Sequence, residues 1–343
     1  MNAIIHHWDQ NAHAIVRFGY INVVAVYDER PKLNGVDTGE FLGIGKNGLR
    51  ITNDFSNVLE TPADIIITTG EGQYFTKKEN VFDWKTNVER ALKKGINVYS
   101  MSKILYGEKT EKFRTLAKEN NTVFEDASDP DIFSKYEKYL ALLEKEPIKT
   151  PVVCITGTSM NSGKLTAQMI TCRKLEESGL VVGSVGTEPS AKFIGCDEQV
   201  VPEVMPTMRG AQGIYLAIKK VEHEKKPNII LVAGQTGLRA SVRDIAQSRA
   251  GAIVAWQILL GSNPDKVVLC SKWSKIDEIG PHIALIKHST GKDVCAIILN
   301  GNGCEREKLM NVLSEVENKT GILTLDILAT PEKIVQYLNA IKN

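Results

Sequence analysis

Residues 152–166 read VVCITGTSMNSGKLT, and residues 167–179 continue AQMITCRKLEESG. An apolar β-branched run, a glycine-bounded loop, a lysine and a helical stretch follow in the order that a phosphate cradle requires. Gly157 and Gly163 let the backbone turn its N–H groups toward an anion. The helix behind them contributes unpaired N–H groups and the positive end of its dipole. Lys164 adds a point charge for phosphate oxygens, and the Thr166 hydroxyl is placed for Mg²⁺ or a further oxygen. The cofactor-binding stretch is thus Gly157, Thr158, Ser159, Met160, Asn161, Ser162, Gly163, Lys164, Leu165 and Thr166.

Two departures from the standard loop bear on which ligand it takes. Five residues rather than four separate the glycines, and Leu165 stands where Ser or Thr normally follows the lysine. The longer gap resembles dethiobiotin synthetase-like and cobyric-acid-synthase-like P-loop proteins. The displaced hydroxyl makes phosphate binding a firmer expectation than Mg·ATP binding, because Ser or Thr directly after the lysine is the usual Mg²⁺ ligand. The neighbouring strand, NIILVAGQTG at 228–237, carries Ala233 where an NTPase needs an acid. Glu188, in GTEPS after another strand, is the candidate substitute and, with Thr166, the candidate metal ligand; an exposed loop glutamate is the alternative reading. Gln235 and Thr236 lie at a strand's carboxyl end, where α/β proteins place ligands, or else form a tight turn. Lys164, Glu188 and Gln235 are the candidate catalytic residues. Asn300 closes the last apolar run, as either a base contact of the dethiobiotin synthetase kind or a turn residue before Gly301.

Working outward, strand-like and helix-like runs alternate throughout, which is the pattern of parallel α/β architecture. Behind the loop, strands are expected at Leu180–Val185, Ile229–Ala233, Val267–Cys270 and Val294–Leu299. Ahead of it they are expected at Ile21–Tyr27, Asp64–Thr68, Asn97–Ser100 and Thr122–Phe124, with helices at Asp83–Lys94 and Glu111–Glu119. A charged helical stretch, Asp129–Glu144, leads into Pro147 and Pro151, a plausible linker. The expected organisation is an α/β chain with an N-terminal degenerate Rossmann-like domain (1–146) and a P-loop NTPase-like parallel-sheet domain (147–343). A length of 343 residues suits two domains of roughly 100–200 each. The first domain lacks G-x-G-x-x-G: its first turn, HHWDQNAHAIV, has no glycine, which argues against NAD. Asp28 resembles a ribose-binding acid in position but reads better as a loop cap.

The charge balance, 42 basic against 41 acidic residues, gives no general attraction to nucleic acid or anionic lipid, so any anion site is local. No run approaches the ~18 apolar residues of a membrane span, and MNAIIHHWDQ does not read as a secretory signal. A cytoplasmic protein follows as the expectation. None of the six cysteines falls at Cys-x-x-Cys spacing. Adjacent His6 and His7 would point to opposite faces of a strand, a poor metal pair. Arg239 and Arg243, four apart, share a helical face and grip a carboxylate or simply face solvent.

The loop, together with AGQTG at 233–237 and GSNPDKVVLC at 261–270, resembles the two-domain P-loop family that includes D-glutamate N-acetyltransferase, formerly a domain of unknown function. Ala12-His13, VVAVYD at 23–28 and GVDTGE at 35–40 resemble that family's opening. The resemblance implies a Rossmann-like domain joined to a P-loop domain, an oligomer, and transfer of an acetyl group from acetyl-CoA to an amino-acid amine. Ala233, Ser159 and Thr187–Ser190 depart from the family pattern and mark a divergent branch. Three readings stand: an acyl-CoA-dependent N-acetyltransferase acting on a small amino acid such as D-glutamate, an ATP-dependent ligase or kinase activating a carboxylate, and a non-catalytic nucleotide-binding regulator.

Overall fold

A computed structural model describes residues 1–69, 84–101, 108–127, 129, 134–205, 207–239 and 251–339. The chain forms two compact units, Met1–Ile132 with Lys192–Gly195, and Phe133–Ala191 with Cys196–Asn343. Each holds one parallel sheet.

In the first unit, β1 (Asn2–His6), β2 (Asn22–Tyr27), β3 (Ile51–Thr52), β4 (Ile65–Thr68), β5 (Asn97–Ser100) and β6 (Phe124–Asp126) lie in the order β3-β2-β1-β4-β5-β6. All the pairings are parallel. Winding reverses between β1 and β4, as in Rossmann-like sheets. Ile4, Ile66 and Val98 pack on Phe55, Trp84, Leu92 and Phe113, while Ile5, Ile67 and Tyr99 are buried too. Burial on both faces explains why these strands read as continuous apolar runs. The Thr122–Phe124 expectation shifts to Phe124–Asp126, because Val98, Tyr99 and Ser100 take Phe124, Glu125 and Asp126 as partners. The expected helices appear as Trp84–Lys93 and Glu108–Glu119; Asp83 lies outside the described residues.

The absent glycine fingerprint has a structural counterpart. Asp9 caps the helix Gln10–Phe18, its Oδ1 accepting from the N–H groups of Asn11 (2.9 Å) and Ala12 (3.1 Å). A carboxylate thus occupies the helix N-terminus that a dinucleotide's pyrophosphate would need. Asp28 is fully buried and accepts from the Trp8 and Arg30 backbone and from the Arg30 guanidinium. It is a loop anchor, as its sequence position implied. Asp9→Ala is expected to lower the stability of this unit by about 1 kcal/mol. Chemical denaturation checks this, and an unchanged midpoint would remove the cap from the argument.

In the second unit, β7 (Val152–Gly157), β8 (Val182–Gly186), β9 (Glu198–Gln199), β10 (Ile229–Gly237), β11 (Lys266–Lys272), β12 (Val294–Asn300) and β13 (Thr324–Leu325) lie in the order β13-β12-β11-β7-β10-β8-β9. All are paired in parallel, so the carboxyl ends of β7, β8, β10, β11 and β12 share one edge. The loop after central β7 opens on that edge, where parallel sheets place ligands. The core joins Val153 and Ile155 of β7 to Leu231, Val268 and Ile298 of the neighbouring strands and to Ala167 and Leu175 of the loop's helix.

Two expectations are corrected here. β10 does not stop at Ala233 but runs on through Gly237, which pairs with Gly157 beyond an irregularity. Gln235 and Thr236 therefore lie in strand, not in a tight turn. The Asp129–Glu144 stretch is not one helix: its described part divides into Ser134–Glu137 and Leu140–Lys145. Two buried tyrosines explain the break. Tyr136 donates to Glu198 and the Gln199 carbonyl, and Tyr139 donates to Glu224. Anchoring both hydroxyls on neighbouring elements takes precedence over continuing a regular helix.

Five of the six cysteines are buried and all are free. Burial pushes the thiols of Cys154, Cys196 and Cys270 up to about 12, which keeps them protonated and unreactive. Among the described residues, no helix is long and apolar enough to cross a membrane.

Candidate phosphate-binding site

The loop is built by steric exclusion. A Cβ on Gly157 would lie 2.4 Å from Ser162 Oγ and 2.9 Å from Lys164 Cδ, so a larger residue here would push on the loop's own side chains. Asn161 (φ 56°) and Gly163 (φ 93°) adopt the left-handed conformation and turn the chain into the helix Lys164–Glu177. β11 buttresses the other side. The Thr158 N–H donates to the Cys270 carbonyl at 2.9 Å, and the Thr158 hydroxyl shares a hydrogen with that of Ser271 at 2.8 Å. Gln168 ties the helix to the sheet, its amide donating to the carbonyls of Val185 and Leu231.

Lys164 opens the helix and is only 5% exposed. Its ammonium folds back onto the loop, donating to the Ser159 carbonyl at 2.9 Å and to Ser162 Oγ at 3.3 Å. Burial pulls its pKa down to about 8, partly offset by Cys270 and by the charge of Glu188. Ser159 Oγ is buried and has no hydrogen-bond partner. A cradle with an orphaned hydroxyl and a cation under-compensated for its burial fits a phosphate group. Met160 is exposed at the tip, and Leu165 and Thr166 are half-buried on the first helical turn.

Asn300 serves as both a turn residue and a latch. Its Oδ1 accepts from the Asn302 N–H, and its Nδ2 donates to the Asn161 carbonyl at 3.0 Å. It also packs against Gly163, whose Cβ position is 3.6 Å from Asn300 Cβ. Asn300 thus holds the loop from outside.

On the β10 side, Ala233 is buried and its carbonyl accepts from the Thr187 hydroxyl at 2.8 Å. Glu188 follows on the same loop, half-buried, with its charge acting on Lys164. Gln235 Nε2 donates to the Thr187 carbonyl and, at 3.1 Å, to Glu203 Oε2. Both of its amide hydrogens are engaged, so Gln235 holds Glu203 in place and has none left for an oxyanion. Glu203 is the acid that the sequence reading missed. It stands on the 3₁₀ turn Pro202–Val204, just past the two-residue strand β9. The signal was a proline at the start of a turn with an acid beside it, too common a pattern to single out.

Arg239 is exposed and paired with Glu278 at 2.7 Å, and Arg243 lies outside the described residues. A cavity of about 310 Å³, lined by Thr150, Glu222 and Pro227 among others, opens at the amino ends of β7 and β10. That is the opposite edge of the sheet from the loop.

Fold and loop together define a P-loop α/β protein preceded by a Rossmann-like unit. A family model described as "Domain of unknown function (DUF1611_C) P-loop domain" matches residues 141–335, and the chain belongs to the DUF1611 family. It is similar over 100% of its length to 99% of a DUF1611 family protein from Anabaena variabilis ATCC 29413, known from a crystal structure, with a TM-score of 0.78 and 14% identity. Partial similarity extends to two other solved structures. The septum site-determining protein MinD complexed with Mg-ADP, from Pyrococcus horikoshii OT3, has a TM-score of 0.32 and 16% identity, covering 47% of this chain and 77% of that one. S. aureus homoserine dehydrogenase has a TM-score of 0.28 and 13% identity, covering 42% and 44%. No curated protein matches the chain.

Proposed function

We propose that the chain is an acyl-CoA-dependent N-acetyltransferase acting on a small amino acid, with D-glutamate as the first substrate to test. The observation that carries this reading is a buried lysine in a phosphate loop whose neighbouring strand offers Ala233 in place of a magnesium-binding acid. Coenzyme A brings phosphates that need no metal, and when bound it supplies an activated acetyl thioester. Gly157–Thr166 would hold those phosphates through loop N–H groups and Lys164, with Asn300 keeping the loop closed. Glu203, hydrogen-bonded by Gln235, would take the proton of an attacking ammonium group. Loop N–H groups would supply hydrogen bonds to a developing oxyanion, since the Gln235 amide is already engaged. Homo-oligomeric assembly and a cytoplasmic location belong to the same proposal.

One arrangement favours a second reading. Glu188 acts electrostatically on Lys164, and Thr166 lies two positions after that lysine; were the two to hold Mg²⁺, the loop would serve an ATP-dependent ligase or kinase. Thermal stabilisation separates the two, since a ligand at 100-fold its Kd stabilises by about 2.7 kcal/mol. For a unit of this size that is roughly 5–10 °C. We expect a shift with CoA and acetyl-CoA and release of free CoA thiol when D-glutamate is added. A shift with Mg·ATP alone would replace the proposal by the ligase or kinase. A CoA shift without turnover on any amine would make the chain a regulator.

A further inference from the structure

The first unit carries a second cluster of chemistry that the P-loop reading does not use. His7 follows β1, and Asp28 and Glu29 follow β2, at the carboxyl edge beside the point where the sheet's winding reverses. His7 Nδ1 lies 3.1 Å from Glu29 Oε2 and 3.5 Å from Asp28 Oδ2. One ligand atom from each of the three lies within 4.8 Å of the others.

We infer that His7, Asp28 and Glu29 form a binding site for a first-row divalent metal ion of the zinc or cobalt kind. Bonds of about 2.0–2.2 Å in tetrahedral geometry hold ligand atoms roughly 3.3–3.6 Å apart. His7 Nδ1 to Asp28 Oδ2, at 3.5 Å, sits at that spacing, and His7 Nδ1 to Glu29 Oε2, at 3.1 Å, is slightly shorter. The donor set decides the class. Imidazole with carboxylates suits zinc and its neighbours, whereas Mg²⁺ and Ca²⁺ prefer oxygen alone.

The surroundings fix the His7 backbone and the Asp28 carboxylate as an outer shell would. The His7 N–H donates to the Tyr27 carbonyl at 2.8 Å, and its own carbonyl accepts from the Thr69 hydroxyl at 2.7 Å. Clamped between β2 and β4, His7 is kept at φ 86° and turned out of the strand alternation that would have aimed it away from the acids. Asp28 Oδ2 accepts from the Trp8 N–H at 2.8 Å, and Arg30 grips both of its oxygens. The ligating carboxylate is thus oriented in advance. Asp28 is fully buried while Glu29 is 27% exposed, so the cluster opens toward solvent through Glu29, and water can complete the coordination. Arg30 balances one of the two carboxylates.

Titration of the full metal-stripped chain with Zn²⁺ and Co²⁺ tests the site. We expect one Co²⁺ per chain with the intense visible bands of a tetrahedral site, displaced by Zn²⁺ but not by Mg²⁺. His7→Gln and Glu29→Gln should each weaken binding at least 100-fold. Glu29 is partly exposed, so Glu29→Gln remains informative if the buried histidine variant does not fold. Binding weaker than millimolar would overturn the inference. So would binding that both variants leave unchanged, which would place the ion elsewhere, for example at the half-exposed Cys304.

Discussion

Lys164→Met is expected to make the ligand-free chain more stable while weakening its phosphate ligand about 100-fold. The lysine's pKa falls from 10.5 to about 8 mainly through burial, so the folded state opposes its charge. A displacement of that size corresponds to about 3 kcal/mol of destabilisation at neutral pH. Methionine of similar length carries no such cost. It does forfeit the hydrogen bonds to the Ser159 carbonyl and Ser162 Oγ, each worth about 1 kcal/mol, which leaves a net gain of roughly 1 kcal/mol. The sign with pH follows from the depressed pKa. The cost is fully present below about pH 8 and is relieved as pH rises toward 10.5, because the folded chain releases the proton that the unfolded chain keeps. The variant's advantage should therefore shrink over that interval. Ligand works in the opposite direction. A phosphate next to the buried ammonium makes charge-assisted hydrogen bonds of about 1.5–3 kcal/mol, and these disappear in Lys164→Met. Melting midpoints with and without CoA at pH 7 and pH 9.5 check both halves. A variant that is less stable without ligand, or that keeps the ligand shift, would show that Lys164 is a structural lysine.

The fold that carries the loop was largely legible in the sequence. β7 and the helix behind it could be read because burial on both faces leaves an unbroken apolar run, and because the glycine spacing admits few other conformations. What the sequence did not disclose depends on contacts between segments far apart in the chain. Glu203 reaches Gln235 from a turn 32 positions earlier, and Asn300 latches Asn161 from 139 positions away. Neither partnership leaves a local pattern. β9 and β13, two residues each, are too short for any periodicity to register. His7 was set aside on the premise that it continued the alternation of β1. Its left-handed backbone breaks that alternation and brings it to the acids of the next strand. The P-loop family was legible from the glycine-bounded loop at 157–166, which lies within the stretch 141–335 that the family model matches.

Two glycines of β10, three residues apart, should respond very differently to alanine, and the difference locates the loop's support. A Cβ on Gly237 would lie 2.4 Å from the Thr158 carbonyl oxygen, 2.7 Å from its carbon and 3.1 Å from Ser159 N. All three are backbone atoms of the phosphate loop, so no side-chain rotation relieves the clash. Either β10 or the loop must move, and the Thr158 N–H, tied to β11 at 2.9 Å, resists that movement. Overpacking of this kind costs about 3 kcal/mol, which is about 6–12 °C in a unit of this size. A Cβ on Gly234, by contrast, meets the Ile155 carbonyl oxygen at 3.4 Å and Thr156 at 3.5 Å, close to ordinary contact. Gly234→Ala should change the stability by less than about 1 kcal/mol. Ligand shifts discriminate further. Displacing Thr158 and Ser159 would distort the loop between Gly157 and Gly163, so Gly237→Ala should lose the CoA shift even at temperatures where it stays folded, while Gly234→Ala should keep it. If the two variants melt and bind alike, β10 does not shape the loop, and the pairing of Gly237 with Gly157 has no functional weight.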